Sequence, residues 1–483
     1  MTHDKRNSEP APRRRFFFAA GAGGLLLLAA ALRIGGAFND LWLDEIWSVR
    51  LAGTLSSFGQ IFTGLHQDNN HYLNTAWLYL CGQRGNWWGY RVPALAAGVG
   101  TVCLAGVLGR PRGRPCALLA MAVTGFSHVL VLYSSEARGY APMLFFAFLC
   151  FFLLDTFLRR LEWRWAGLFS LGAILGFCSH LSFILFFLAA MFWSACRLVL
   201  ARVGPGRAAG ALLACHALPA AFVAWLYWVD IRSVAATGGS ATGGWTGLET
   251  ILAWAVGRPP GAAALLAAAL AVAAALAGAL WRLWRERSDQ LLFFGVMTVL
   301  VPAGLVLVLP PVAFYVRFFI ISLAFFLLLA SYALAWLYDR GPGGRAACFI
   351  LLGLFILCNG LQTAEFLRLG RGHYAEAVRF MAAHTPGAGA RVGGDHDFRI
   401  PLILDFYREA AAPKILCYLP QSESPPGGVD WLICHREAGE PPVPPSPQLC
   451  DPEGHRYDWV KTYPAAPLSG LHWFLYRNAA AAR

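Results

Sequence analysis

Charge is what this chain has least of. Of its 483 residues, 14% are Asp, Glu, Lys or Arg, against roughly 25% in an ordinary soluble domain. So little charge excludes an ordinary soluble enzyme, and 57% apolar residues exclude a disordered chain. Acidic residues are the scarcer sign: 27 stand against 39 Lys and Arg, leaving a formal net charge of +12. In so apolar a sequence that excess does not require nucleic acid, because basic residues collect at the cytoplasmic ends of membrane helices. Zinc-type spacing is missing too, since the 12 Cys and 12 His form no Cys/His cluster. Cys103, Cys150, Cys178 and Cys196 sit inside apolar runs, where they act as small hydrophobes. Cys417, Cys434 and Cys450 fall in polar sequence, and a disulfide among them stays open.

What the chain has in abundance is long apolar runs. A helix needs about 20 apolar residues to cross a bilayer. Eleven stretches qualify: 16–36, 91–109, 115–133, 139–158, 165–181, 183–200, 208–229, 261–281, 291–309, 314–336 and 346–362. The small residues of 261–278 favour close helix approach and put that span inside the bundle. With the N-terminus inside, the short inner segments carry 19 Lys and Arg, among them Arg13–Arg15, Arg110, Arg112, Arg114, Arg159, Arg160 and Arg164. That bias meets the positive-inside rule, and an odd number of spans leaves the C-terminus outside. Trp163/Trp165 and Trp281/Trp284 suit interfacial belts. Residues 1–36 also have the basic start and Ala-rich end of a cleaved signal peptide, but their apolar run leads straight into the first outer loop.

The expected fold is therefore a mostly α, polytopic membrane helix bundle over 1–362 with an extracytoplasmic C-terminal domain over 363–483. The first outer loop, 37–90, contains HYLNTAWLYLCG, too short to span and expected as a helix lying in the interface. The stretch 230–260, with ATGGSATGGWTG, reads as a mobile loop. In the tail, HYAEAVRFMAAH reads as a helix, WLICHRE and LHWFLYR as strands, and EPPVPPSPQ as a loop, giving a small α/β domain.

Ionisable groups at membrane depth are costly and usually functional. Here they collect at the outer face: Asp44, Glu45, Asp68, His71, Arg91, Glu136, Arg138, His180, Asp230, Arg258 and Arg317. In LWLDEIWS, the Asp44–Glu45 pair could take a proton or hold a cation; the bland reading makes Asp44 a helix cap. In HQDNNHYLNTAW, Asp68, Asn69, Asn70 and His71 form a dense polar cluster that a capped turn also explains. In YSSEARGY, a very short outer loop holds Glu136 and Arg138 at the bilayer surface, where a guanidinium suits a lipid phosphate and an internal Glu–Arg pair is the alternative. In PPVAFYVRFF, Arg317 lies on the outer side, where orientation does not want it; snorkelling competes with binding of an anionic headgroup. His180 reads most simply as a structural group near a helix end.

Taken in order, these elements resemble the C-type membrane glycosyltransferases, in particular the protein O-mannosyltransferase and aminoarabinose-transferase group. The resemblance covers about 1–340. It rests on Asp44–Glu45 in the first outer loop, Asp68–Asn69–Asn70–His71 for a D-x-x-H-P stretch, and Arg91–Val92–Pro93 opening the second span. Ser134, Glu136, Ala137, Arg138 and Tyr140 match S-x-E-A-R-x-Y, and Tyr315 with Arg317 match a late outer arginine beside an aromatic. Tyr72 stands where many relatives have proline, a departure that touches the acceptor side.

The resemblance implies an inverting transfer of a sugar from a polyprenyl-phosphate donor to a lipid, glycan or protein acceptor at the outer face of the cytoplasmic membrane. It implies Asp44 and Glu45 as catalytic, with Asp44 the general base, and a donor phosphate held by Arg138, Arg317 and Tyr315. Asp68, His71, Glu136, Tyr140 and His180 would bind acceptor or sugar. No cofactor and no nucleic acid are needed, although converging carboxylates could hold a divalent cation. The chemistry agrees: the leaving phosphate needs a cation, not an acid, and the sugar carbon passes through an oxocarbenium-like state. Two other readings compete. A transporter or lipid flippase would place charges near the midplane and show repeated halves, neither of which the sequence has. A degenerate binding protein would take up the lipid-linked sugar without turnover.

Overall fold

The apolar runs form helices because, in lipid, a helix alone satisfies every backbone donor and acceptor within one segment. Among the described residues, nine helices are long and apolar enough to cross a membrane, or ten with one bent pair counted as a single span. They fall on ten of the eleven expected stretches; the last, 165–181, is the 17-residue helix Trp163–Ser179. The structure, a computed structural model, describes residues 11–82, 87–234, 244–257, 262–308, 315–423, 425–466 and 469–480. Its chain divides into two units: Met1–Ala37, Leu55–Cys81 and Gly89–Ala364 in one, and Phe38–Thr54, Gly82–Trp88 and Glu365–Arg483 in the other.

In the first unit the helix Ile320–Tyr338 is buried along most of its length. Its Phe325 packs with Phe151, Phe186 and Phe293, ring centroids 4.6–5.8 Å apart, an aromatic core built on offset and edge contacts. The bent pair Arg114–Phe126 and His128–Ser134 turns by 64°. Arg33, 1% exposed, donates to the Thr124 and Gly125 carbonyls at that break and to Ala29 in its own helix. An intramembrane guanidinium thus satisfies carbonyls that the break releases. Arg91 does similar work, donating to the Ala37 carbonyl at 2.7 Å.

Two expectations need correcting. The Ala-rich helix Ala262–Arg285 is not interior: Leu266 and Leu270 are 64% and 62% exposed. Small residues permit close packing but do not compel it, and a smooth Ala/Leu surface suits lipid equally well. Residues expected as one mobile loop include the helix Gly244–Val256, while 235–243 and 258–261, with Arg258, lie outside the described residues. HYLNTAWLYLCG forms the helix Tyr72–Cys81, as its length and composition imply. All twelve cysteines are free thiols.

The second unit is built on a six-stranded mixed sheet. Its strands are β1 (Gly389–Gly394), β2 (Ile415–Tyr418), β3 (Trp431–Glu437), β4 (Gln448–Cys450), β5 (Arg456–Tyr463) and β6 (Leu471–Asn478), in the order β2-β1-β3-β6-β5-β4. β1 pairs in parallel with β2 and β3, and the other ladders are antiparallel. The helices Tyr374–Ala383 and Arg399–Phe406 belong to this unit. So does the helix Leu43–Gly53 from the first loop, which several ties join to the tail. Asp40 accepts from the Ala375 N–H, Tyr407 donates to the Leu41 carbonyl, and Trp47 meets Phe398 edge-on at 5.3 Å.

Candidate active site

In the first unit, sequence positions far apart line one cavity of about 240 Å³. Asp68, His71 and Tyr72 come from the loop and start of the helix Tyr72–Cys81; Arg138 and Tyr140 from the short loop before the helix Tyr140–Arg160; His180 from the end of the helix Trp163–Ser179; and Tyr315 and Arg317 from the turn before Ile320–Tyr338. Seven of the ten expected site residues therefore share a wall. Glu136, fully buried, stands behind it, its carboxylate 3.6 Å from Arg138.

Arg138 is held firmly. It is 4% exposed, donates to Asn69 Oδ1 at 2.6 Å and sits 5.1 Å from the Tyr140 ring. Arg317 lies over Tyr315 at 4.8 Å. Arg317 is half-buried and lines the cavity together with Arg138 and the two histidines.

The two histidines are fixed by the backbone. His71 Nδ1 accepts from the Gly139 N–H at 2.8 Å, and His180 Nδ1 accepts from the Ser182 N–H at 3.0 Å. An imidazole whose Nδ1 accepts carries its proton on Nε2. Burial first, then the charges of His180, Arg138 and Arg317, push the His71 pKa well below the ordinary histidine value, so the ring is neutral. His71 Nε2 lies 3.4 Å from Arg138 Nη2. Two donors facing each other at that distance do not bond, so this proximity does not satisfy either group. The rings of His71 and His180 meet edge-on at 4.7 Å, and Tyr140 packs 4.6 Å from His180. Gly139 makes this possible, because a Cβ there would run into the Ser179 carbonyl and lie 2.6 Å from His71 Nδ1.

Asp44 and Glu45 belong to the second unit, in the first turn of Leu43–Gly53. The cap residue is Trp42, not Asp44. Glu45 closes the helix end by accepting from the Trp42 N–H at 3.2 Å, and it lies fully buried 3.9 Å from buried Arg371. Asp44 is half-buried at the same helix N-terminus, where a carboxylate is favoured.

Sequence reasoning missed the partners of this set. Asp230 was legible only as an outer polar group, and His66 not at all. Asp230 Oδ2 accepts from the Tyr72 hydroxyl at 2.5 Å, and Oδ1 lies 2.7 Å from His66 Nδ1. Only an arginine over an aromatic, or a polar residue ending an apolar run, could have hinted at such contacts. Among the described residues, the three metal-capable side chains that cluster are Asp451, Glu453 and His455, beside β5 and away from this cavity's residues in sequence.

No protein-family model matches the chain, and no curated protein matches it. Solved structures do. An oligosaccharyltransferase from Archaeoglobus fulgidus, solved with zinc and sulfate, matches over 86% of this chain and 68% of its own, at 10% identity and a TM-score of 0.50. The archaeal oligosaccharyltransferase AglB of that organism, in complex with an inhibitory peptide and a dolichol-phosphate, matches over 88% and 70%, at 11% identity and 0.50. ArnT from Cupriavidus metallidurans, bound to undecaprenyl phosphate, matches over 98% of this chain and all of its own, at 11% identity and 0.51. The chain shares the fold of these oligosaccharyltransferase and ArnT structures. The resemblance read from the motifs and the likeness of the coordinates thus point to one architecture, a multi-pass membrane bundle with a small sheet domain.

Proposed function

We propose that the protein is an inverting membrane glycosyltransferase that moves a sugar from a polyprenyl-phosphate donor to an acceptor at the outer face of the cytoplasmic membrane. The observation that carries this reading is the convergence of two guanidiniums, Arg138 and Arg317, and two backbone-fixed imidazoles on one cavity. The polyprenyl phosphates bound in the similar ArnT and AglB structures support the same ligand class.

The chemistry follows from those groups. The bond between the sugar carbon and the phosphate oxygen breaks, and the electron pair leaves with the phosphate. Arg138 and Arg317 hold that charge, and the Nε2–H groups of His71 and His180 donate to the same oxygens. His71 and His180 thereby serve the donor phosphate rather than the acceptor. Glu136 and Asn69 aim Arg138, and Tyr140 and Tyr315 support the two guanidiniums. The acceptor attacks from the opposite side of the sugar, which inverts the carbon, and loses its proton to a base worth about 10²–10⁴-fold. The family resemblance gives that role to Asp44, with Glu45 spent on the helix end and Arg371. Asp68, exposed at the cavity, is free of burial cost and can meet a sugar hydroxyl or, with water, a divalent cation. The chain's apolar spans and basic inner segments support a multi-pass protein with the C-terminal unit outside.

The test is comparative mass spectrometry of lipids and glycans from cells with and without the intact gene. The reading predicts a sugar of defined mass missing from one envelope component and restored by the wild-type gene. Asp44→Asn should insert and fold yet fail to restore it. Identical envelopes, or unaided transport of a glycolipid across sealed vesicles, would contradict the reading.

A further inference from the structure

Asp230 is a carboxylate in a place that opposes it. It ends the helix Pro205–Val229, where the helix dipole disfavours negative charge, and it is 1% exposed. A buried charge at a helix C-terminus adds no stability by itself. It is met by two side chains only a distant fold could supply: Tyr72, packed flat on Phe62 at 5.3 Å, and His66, 164 residues away. Because a carboxylate only accepts, His66 Nδ1 is the donor to Asp230, and in the neutral form of the ring this leaves the lone pair on Nε2. The polarity is the reverse of that at His71 and His180. The His66 side chain is 37% exposed, and its neighbours Gln67 and Asp68, with Asp230 and Tyr72, line the cavity.

We propose that His66 is an acceptor-recognition residue: its Nε2 takes a hydrogen bond from an uncharged hydroxyl of a carbohydrate acceptor, with Asp230 and Tyr72 as positioning residues. This rests on the glycosyl-transfer reading and extends it to the acceptor's chemistry. A lone pair backed by a carboxylate repels a phosphate or carboxylate group. Arg138 and Arg317 share the neighbouring cavity with the carboxylates of Asp68 and Asp230, so its formal charges balance and it calls for neither ion. An uncharged hydroxyl, such as a sugar's, has the polarity that fits. Tyr72, in the position where relatives carry proline, supplies the hydroxyl that holds Asp230 in place.

The test uses the full chain in lipid nanodiscs and needs no turnover. Diethyl pyrocarbonate acylates an unprotonated imidazole nitrogen, and peptide mass spectrometry reads the rate at His66. Methyl glucoside is expected to slow that rate at least threefold, while methyl phosphate and methylammonium at equal concentration leave it unchanged. Asp230→Asn lets the amide donate to Nδ1, moves the proton to Nε2, and should abolish protection with the fold intact. In transfer assays with the wild-type product identified, His66→Gln should raise the acceptor KM tenfold or more with the donor KM unchanged. Protection by methyl phosphate or methylammonium, or no protection by methyl glucoside, would overturn the proposal. So would an unchanged acceptor KM in His66→Gln. Absence of any transfer by the wild-type protein would instead defeat the glycosyltransferase reading.

Discussion

At the scale of the residue, the cavity is organised by which atom of each polar group is already used. Arg138 is held in place by Asn69 and Glu136. His71 and His180 spend Nδ1 on backbone N–H groups and present Nε2–H. A water-filled cavity in a soluble enzyme could reorient such groups, but a buried one pays reorganisation in advance. Arg138→Ala should therefore raise the apparent donor KM more than tenfold while leaving the acceptor KM alone, read in a transfer assay with varied lipid-linked sugar. Gly139→Ala belongs to the same scale. Its Cβ would push against the Ser179 carbonyl and His71 Nδ1, so activity should fall at least a hundredfold with the span still inserted, as judged by expression and protease protection. The motif residues of this set were legible in the sequence because a charged group beside an apolar run is conspicuous. Asp230 and His66 were not linked, because nothing local connects side chains 164 residues apart.

At the scale of the element, legibility followed the strength of the local pattern. Apolar runs of about 20 residues announced their helices. β3 and β6, written WLICHRE and LHWFLYRN, announced themselves by aromatic and β-branched content. β1, written GARVGG, did not: its glycines disfavour a strand, yet it is central, between β2 and β3. Its close neighbours explain the glycines, since a Cβ on Gly394 would crowd the Ile433 backbone at 2.6 Å. Just past β1, Asp395 accepts from the backbone N–H of His435 at 2.6 Å and pairs with its ring at 2.5 Å. Burial alone would raise the Asp395 pKa, but these bonds to His435 outweigh it and hold the carboxyl below its usual value. A depressed carboxyl stabilises the fold above its unfolded pKa, near 4, and loses that contribution as pH falls through the folded value. Asp395→Asn should thus weaken the second unit at pH 7, and the gap to wild type should close as the pH drops below about 4. Amide exchange in β1 and β3 of the full chain reads this, and an unchanged gap at low pH would remove the Asp395–His435 pair as its cause.

At the scale of the whole molecule, two units share the expected site residues unequally. The helix bundle carries Arg138, Arg317, His71 and His180, whereas Asp44 and Glu45 fold with the tail through Arg371, Tyr407 and the Asp40 cap on Ala375. From sequence, the first loop and the tail looked like separate features of one outer face; their union into a unit depends on contacts more than 330 residues apart. The division predicts that Arg371→Ala, which removes the buried guanidinium 3.9 Å from Glu45, lowers transfer at least tenfold without changing polyprenyl-phosphate binding. Equal loss of both would mean that the substitution unfolds the protein at large.

The central claim, that Arg138, Arg317, His71 and His180 form a cradle for a lipid-linked phosphate, is tested most directly by binding. Purified protein in nanodiscs should bind polyprenyl phosphate saturably and the uncharged polyprenol at least tenfold more weakly. The Arg138→Ala/Arg317→Ala double variant should erase that preference while remaining folded. Equal binding of phosphate and alcohol by the wild-type protein, or an unchanged preference in the double variant, would contradict the account.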